Sequence, residues 1–318
     1  MPQPTVIGAD IGGTSAKAAV VSSDGKIVAR AQRATDVHAG TKTMIAVVED
    51  LLGRSTDLDV EIRGVGVGAA GFIDSATGSV TFSPNLTYDD PKVADALTGR
   101  IGLPVVVDND ANAAAWGERA FGCAKGCDDV SLVTLGTGIG SGFIVAGRLI
   151  RGSTGAGAEI GHTIVDPRGP ACGCGLRGCL EQLASGTAIA RMAREAVGSD
   201  PESRIVQLAG SAAEIRSEDV SQAAGEDDET AREVLRQAGR SLGVGLSNVV
   251  NLFDPQVIVL GGGLVGIGEP YLGPARDQLF KMTTQQHRRP KRLDVTALGH
   301  DAGILGAAAL AFDLLGAA

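Results

Sequence analysis

Apolar residues near the N-terminus fall into short runs separated by glycine, a pattern typical of β-strands. Residues 4–11 form the first run and Ala16–Val21 the second, with Gly12-Gly13-Thr14 between them. Ser23-Asp24-Gly25-Lys26 predicts another tight turn, which leads into a third strand over Ile27–Ala31. The first glycine turn is therefore expected at the tip of a β-hairpin, whereas Walker and Rossmann glycine loops open into a helix.

Helical and strand patterns then alternate along the chain, and this alternation predicts an α/β fold. The long helix over Asp227–Leu252 shows apolar residues at three- and four-residue spacing and ends before Pro255. The other predicted helices are Thr41–Leu52, Pro91–Arg100, Ala113–Phe121, Thr187–Ala196, Ser217–Ala224 and Ala302–Leu315. The other predicted strands are Ile62–Ala69, Leu103–Val107, Val130–Leu135, Val257–Leu260 and Leu293–Ala297.

The opening pattern recurs from Val130, where S-L-V-T-L-G-T-G-I-G again places a Gly/Thr turn between two strands. Each turn alone could be a plain hairpin turn, or it could present backbone N–H groups to a phosphate. The approximate repeat predicts two similar domains with one phosphate-facing turn each. Gly262 and Gly263, after the apolar strand Val257–Leu260, could likewise let the backbone approach a nucleotide or simply turn the chain.

A polar run, Asp108-Asn109-Asp110-Ala111-Asn112, follows directly after the apolar strand Leu103–Val107. Polar groups at the carboxyl ends of buried parallel strands are where α/β proteins place their chemistry. One Asp or Asn is expected to cap the next helix, but the run is longer than a cap requires. It therefore predicts a catalytic carboxylate.

Three of the five cysteines, Cys172, Cys174 and Cys179, lie close together, and His162 precedes them by ten residues. One His and three thiolates form the four-ligand set that structural zinc prefers. Buried thiols or a reversible disulfide are the alternative, but C-x-C is a poor disulfide geometry. Cys123 and Cys127 have no such support and are assigned no role.

Composition and charge narrow the class of protein. The net charge of −9 and the pI near 5.0 argue against nucleic-acid and membrane partners. No apolar run is long enough to span a bilayer, and the N-terminus has no signal-peptide pattern. Few cysteines outside the cluster also argue against a secreted disulfide framework. A cytoplasmic location is expected.

Six motifs resemble, in order and spacing, the ROK family of sugar kinases and repressors. They are Asp10–Thr14, Asp108–Asn112, Leu135–Gly142, Glu159–His162, Cys172–Glu181 and Asn251–Gly263. The resemblance covers nearly the whole chain. Within the family, the chain is similar to the bacterial glucokinase branch. It implies duplicated actin-like, ribonuclease-H-like domains around a central cleft. The expected domains are residues 1–117 with 301–318, and residues 118–300 with the zinc loop.

The resemblance also implies phosphoryl transfer from ATP to the 6-hydroxyl of glucose, with Mg²⁺ as the counter-ion. Asp110 is then the expected catalytic base, with Asp108 as the competing candidate. The expected nucleotide-binding residues are Asp10, which would orient the Mg²⁺ shell, together with Gly12, Gly13, Thr14, Lys17, Thr137, Gly138, Gly262 and Gly263.

The sugar ligands implied by the resemblance come from separate parts of the chain. They are Gly71, Asn85, Asn109, Asp110, Glu159, His162 and Glu181. His162 would then bind both the structural Zn²⁺ and the sugar. The family often has Trp after the P-N-L of the sugar loop, where this chain has Tyr88.

Several other functions compete with this one. A repressor would need a helix-turn-helix domain, and the first strand begins by about Thr5. The remaining alternatives are a kinase for another hexose (mannose, N-acetylmannosamine, fructose, allose) and a polyphosphate-dependent enzyme. A sugar-binding module without catalytic activity is disfavoured, because the chain has both Asp10 and Asp110. A homo-oligomer, either a dimer or a tetramer, is expected.

Overall fold

A computed structural model of the chain describes residues 4–198, 202–283 and 292–316. Its strands are β1 Thr5–Ile11, β2 Ser15–Ser22, β3 Ile27–Ala34, β4 Ile62–Ala69, β5 Phe72–Asp74, β6 Ser79–Phe82, β7 Val105–Asn109, β8 Val130–Leu135, β9 Ile139–Val145, β10 Arg148–Leu149, β11 Val257–Gly261 and β12 Arg292–Val295. Its helices are α1 Gly40–Leu52, α2 Val93–Ile101, α3 Asp110–Ala120, α4 Glu181–Ala184, α5 Gly186–Val197, α6 Arg204–Ala209, α7 Ser217–Gly225, α8 Glu229–Phe253, α9 Glu269–Met282 and α10 Ala302–Leu314.

Two five-stranded sheets share one topology. Their strand orders are β3-β2-β1-β4-β7 and β10-β9-β8-β11-β12. In the first sheet β1 pairs antiparallel with β2, and β4 pairs parallel with both β1 and β7. The second sheet repeats this order with a later set of strands, so the internal repeat predicted from the sequence is confirmed. The predicted α/β fold with duplicated actin-like, ribonuclease-H-like domains is also confirmed.

The described chain divides into two compact units. The first contains Met1–Leu132, Gly142–Ala158 and Thr296–Ala318, and the second contains Val133–Ser141 and Glu159–Val295. The functional domains expected from the sequence, residues 1–117 with 301–318 and residues 118–300, stay a prediction. Within the described residues, every helix is too short or too polar to cross a bilayer.

The core of the first unit lies on the two faces of the first sheet. On one face, apolar residues of α1 and α2 cover β1, β2 and β4. On the other face, α10 packs so closely that a Cβ at Gly66 would lie 1.7 Å from the Ala307 carbonyl oxygen. Only glycine permits this approach of helix to strand. The C-terminal helix therefore belongs to the first unit, next to β1.

Most predicted elements form within a few residues of their expected bounds, whereas the short elements β5, β6, α4 and α6 and the helix α9 were not predicted. Helix α3 begins at Asp110 rather than Ala113, because Asn109 caps it. Helix α9 was not expected, since Pro270, Gly273 and Pro274 read as helix breakers. Pro270 lies in the first turn, where the missing N–H costs nothing.

Candidate active site

The hairpin turn after β1 forms as predicted in the first unit. The Gly12 N–H donates to the Ser15 carbonyl at 3.1 Å, and the Thr35 hydroxyl donates to the Gly12 carbonyl at 2.7 Å. Gly13 and Thr14 are exposed at the tip. Lys17 lies opposite Asp10 in the β1–β2 ladder. The turn is thus held from both sides while its tip remains open to a ligand.

The carboxyl end of β7 runs directly into α3. The Asn109 side chain caps this helix, accepting from the Ala111 N–H at 2.9 Å and the Asn112 N–H at 3.1 Å. Its Nδ2 donates to the Gly71 carbonyl at 3.1 Å. Asp110 is therefore the first residue of α3, and its position is fixed by the cap before it.

Asp10 and Asp110 form a pair of carboxyl groups at the ends of β1 and β7. They flank the end of β4, where a Cβ at Gly68 would lie 3.5 Å from the Asp110 Cα and 3.6 Å from an Asp10 carboxyl oxygen. Burial raises the pKa of Asp10 to about 7, the charge of Asp110 adds to the rise, and Lys17 opposes it. Burial also raises the pKa of Asp110, and hydrogen bonds from the Ala111 N–H partly offset this rise. Such a pair can hold a divalent cation and accept a proton.

The first unit contains Gly71, which is an expected sugar ligand, and the expected sugar loop with Asn85 and Tyr88. Gly71 has φ of +132° and its carbonyl accepts from Asn109, so it is joined to the end of β7. Asn85 is exposed and lies outside this cluster of contacts. Tyr88 is buried, and its hydroxyl donates to the Ala70 carbonyl at 3.1 Å. The Tyr88 ring is therefore part of the core under the loop.

In the second unit, the residues expected to bind sugar converge on the start of β9. The Glu181 carboxylate accepts from the Ile139 N–H at 3.1 Å. The segment Glu159–His162 packs on the same residue, since a Cβ at Gly161 would lie 2.2 Å from the Ile139 carbonyl oxygen. The Ile160 N–H donates to the Ser141 hydroxyl at 3.2 Å. Glu181 and the segment Glu159–His162, which are separate in the sequence, thereby contact the same strand start.

His162, Cys172, Cys174 and Cys179 gather as the sequence predicts, with all four ligand atoms within 4.8 Å of one another. Tetrahedral zinc with Zn–S bonds of about 2.3 Å separates its sulfur ligands by roughly 3.8 Å. The Cys174–Cys179 Sγ distance is 3.6 Å, and the Cys172 Sγ lies 3.7 Å from His162 Nδ1. The donor set therefore fits zinc, bound through Nδ1 of His162. Cys123 and Cys127 lie outside this group, and the Cys123 thiol donates to a Glu118 carboxyl oxygen at 3.2 Å.

The turn after β8 borders a cavity of about 700 Å³ in the second unit. Thr137 and Gly263, both expected at the nucleotide, line this cavity. The rest of the wall was not foreseen and comes from α5, α7 and the residue that caps α7, including Arg194, Arg216, Glu218 and Gln222. Gly262 also has a structural role, because its φ is +84° and a Cβ there would lie 2.3 Å from the Leu135 carbonyl oxygen.

Duplicated sheets of this order, each with a Gly/Thr turn between its first two strands, define the class of actin-like, ribonuclease-H-like proteins. The family model described as "ROK family" matches residues 6–313, so the chain belongs to the ROK family.

Individual relatives cover nearly the full chain. It is 37% identical to a glucokinase of Thermotoga maritima over 317 residues, covering 99% of this chain and 100% of the relative. It is 40% identical to a glucokinase of Streptomyces coelicolor over 311 residues, covering 96% of each. Among solved structures, the ROK family glucokinase of Streptomyces griseus in complex with glucose and AMPPNP has a TM-score of 0.83 and 40% identity, covering 97% of this chain and 99% of that one.

Proposed function

We propose that this protein is a glucokinase that transfers the γ-phosphoryl group of ATP to the 6-hydroxyl of glucose. The observation that carries the proposal is the pair of partly buried carboxyl groups Asp10 and Asp110 at the ends of β1 and β7. The full-length similarity to glucokinases, one of them bound to glucose and AMPPNP, supports the choice of substrate.

Asp110 is the proposed general base. Phosphoryl transfer requires mainly positioning and charge neutralisation, with one group to accept the hydroxyl proton. Burial raises the pKa of Asp110, which makes its carboxylate a better proton acceptor than an exposed one. The rigid cap formed by Asn109 holds Asp110 at the start of α3. The second hydrogen on Asn109 Nδ2 would orient a neighbouring sugar hydroxyl.

Asp10 is proposed to hold the Mg²⁺ shell. Mg²⁺ bound with ATP would supply the positive charge that neutralises the phosphates. That charge would also lower the pKa of Asp10, so the carboxylate ionises as the cation binds. The exposed turn Gly12-Gly13-Thr14 and Lys17 would contact phosphate oxygens from the first unit.

In the second unit we assign Thr137, Gly138, Gly262 and Gly263 to the nucleotide. Thr137 and Gly263 line the cavity that is large enough for a nucleobase and ribose. Gly138 lies next to the Glu181 carboxylate, and Gly262 brings the β11 turn against β8. Arg194 and Gln222 are added as candidate contacts to the base or ribose.

In the second unit we assign Glu159, His162 and Glu181 as glucose ligands. In the first unit we assign Gly71, Asn85, Asn109 and Asp110. Rigid carboxylates accept hydrogen bonds from adjacent sugar hydroxyls at low entropic cost. The Cys₃His group would bind one structural Zn²⁺ through His162 Nδ1, leaving Nε2 for a sugar oxygen. The homo-oligomer expected from the sequence stays a prediction.

A coupled assay with ATP, Mg²⁺ and a panel of hexoses tests the proposal. Glucose is expected to give the highest kcat/KM, and polyphosphate should not replace ATP. Asp110→Asn should lower kcat by at least about a thousandfold while glucose binding remains measurable by calorimetry. Turnover near wild-type in that variant would remove Asp110 as the base. Phosphorylation of another hexose at higher kcat/KM would replace glucose as the substrate.

A further inference from the structure

Asp108, the first residue of the polar run, is a buried carboxylate whose two oxygens are both engaged. Oδ2 accepts from Arg151 Nε at 2.7 Å. Oδ1 accepts from the Asn109 N–H at 2.8 Å and from Asn112 Nδ2 at 2.9 Å. The Asp108 side chain is only 3% exposed, whereas Arg151 is 31% exposed. A carboxylate with this set of donors is poorly placed to accept a proton from a substrate.

Arg151 lies in the loop that follows β10, and this loop is packed against β5. The Gly157 N–H donates to the Arg151 carbonyl at 3.0 Å, which closes the loop on itself. Gly155 has φ of +79°, and a Cβ there would lie 1.8 Å from the Ile73 carbonyl oxygen. The loop of residues 150–158 is thus held at two places, at Ile73 and through Arg151 at Asp108.

These contacts form a closed ring within the first unit. Arg151 binds Asp108, Asp108 accepts from Asn109, and Asn109 donates to Gly71. Gly71 leads into β5, and β5 contacts the loop again through Ile73. Asn109 and Gly71 are two of the proposed glucose ligands. Displacing any member of the ring should therefore disturb the same ligands.

We propose that Asp108 and Arg151 are positioning residues that hold the end of β7, Gly71 and the 150–158 loop together as one wall of the sugar site. This inference rests on the proposed glucokinase function. The pair acts through Asn109 and the loop, and neither member takes part in proton transfer. Asp108 is accordingly removed as the competing candidate for the base.

The experiment compares Arg151→Gln, Arg151→Lys and Asp108→Asn with the wild-type enzyme. Arg151→Gln should raise the KM for glucose at least about tenfold, because small displacements of positioning groups are costly. The KM for ATP should stay within about twofold, since the phosphate turns lie outside the ring. Arg151→Lys keeps the charge and should recover part of the glucose affinity. Arg33→Gln is the matched control, because Arg33 forms a comparable pair with Asp50 on the exposed surface.

Hydrogen exchange of residues 150–158 is measured on the same samples and does not depend on activity. Exchange in this loop should accelerate in Arg151→Gln and Asp108→Asn but not in Arg33→Gln. The double variant Asp108→Asn with Arg151→Gln should be less impaired than the sum of the two single variants, since both single variants weaken the same Arg151–Asp108 contact.

Three outcomes would overturn the proposal. The first is an unchanged glucose KM despite faster loop exchange, and the second is a change confined to the KM for ATP. The third is loss of turnover in Asp108→Asn with normal glucose KM and normal loop exchange, which would make Asp108 the base. If the wild-type enzyme phosphorylates no hexose, the proposed function fails, and the loop exchange still decides whether the pair holds the loop.

Discussion

Asp10 provides a quantitative test of the carboxyl pair. Burial and the charge of Asp110 raise its pKa from the ordinary value of 3.8 to about 7 in the protein without bound cation. In the unfolded chain this carboxyl ionises near its ordinary pKa. Between these two values the folded state keeps a proton that the unfolded state releases. Stability should therefore fall as the pH rises through this range.

The size of the effect follows from the shift. Each pKa unit corresponds to about 1.4 kcal/mol, so a rise of roughly three units destabilises the ionised protein by about 4 kcal/mol at high pH. Measurements near the pI of 5.0 invite precipitation. From about pH 5.5 up to the folded-state pKa of about 7, the unfolded chain has released this proton and the folded protein has kept it. This interval of roughly 1.5 pH units corresponds to a loss of about 2 kcal/mol in unfolding free energy by pH 8.5.

Urea unfolding in Mg²⁺- and nucleotide-free buffer measures this difference. Trp116 is the only tryptophan of the chain and lies on α3, so its fluorescence follows the unit that contains Asp10. Wild-type protein should lose about 2 kcal/mol more than Asp10→Asn over this pH range. Asp110→Asn should lose less than wild-type, because one cause of the shift is gone.

Asp50→Asn is the matched control. Asp50 is exposed, and its hydrogen bonds with Arg33 lower its pKa, so its removal should leave the pH dependence almost unchanged. Identical slopes for wild-type and Asp10→Asn would refute the argument, since Asp10 would then have an ordinary pKa and would not be half of a buried pair.

Three further changes test other parts of the two units. Glu118→Gln should lower the unfolding free energy by about 2–3 kcal/mol in urea titrations. The reason is that the Glu118 carboxylate is fully buried and accepts from the Cys123 and Leu298 N–H groups, and the variant replaces it by an amide. A loss below about 0.5 kcal/mol would contradict this. Wild-type protein should contain about one zinc per chain by elemental analysis and Cys174→Ser much less, with a lower Tm and a higher glucose KM; an unchanged KM would separate the metal from the sugar site. Gly138→Ala should raise the glucose KM severalfold with little change in Tm, since the new Cβ would lie 2.4 Å from a Glu181 carboxyl oxygen; the reverse result would show that Gly138 serves only the fold.

Local patterns predicted the features that depend on neighbouring residues. The hairpin turns at Gly12–Thr14 and Gly136–Gly138 follow from strand periodicity interrupted by glycine. The Cys₃His group could be found because three of its ligands lie within eight residues and the fourth is ten residues earlier. The repeat of the opening pattern predicted a second sheet of the same order, and the structure has it.

Features built from distant segments could not be predicted in this way. The cavity of the second unit takes its walls from two glycine turns and from α5 and α7, and no local pattern marks Arg194 or Gln222 as neighbours of Thr137. The contact of Arg151 with Asp108 joins residues 43 positions apart. The sequence therefore left Asp108 as a cap or a base, and its engagement by three donors became evident only from the fold.

The packing of two helices sets the spacing of Asp10 and Asp110. Asp110 begins α3, and a Cβ at Gly303, in the first turn of α10, would lie 2.9 Å from the Asp10 carboxyl carbon. The two helices meet where a Cβ at Gly306 would lie 1.8 Å from the Ala113 carbonyl oxygen, so their backbones are in direct contact. Both carboxyl groups thus lie near helix N-termini, whose partial positive charge favours anions. Burial and the charge of Asp110 nevertheless raise the pKa of Asp10, and a cation bound beside the two carboxyl groups would oppose this rise.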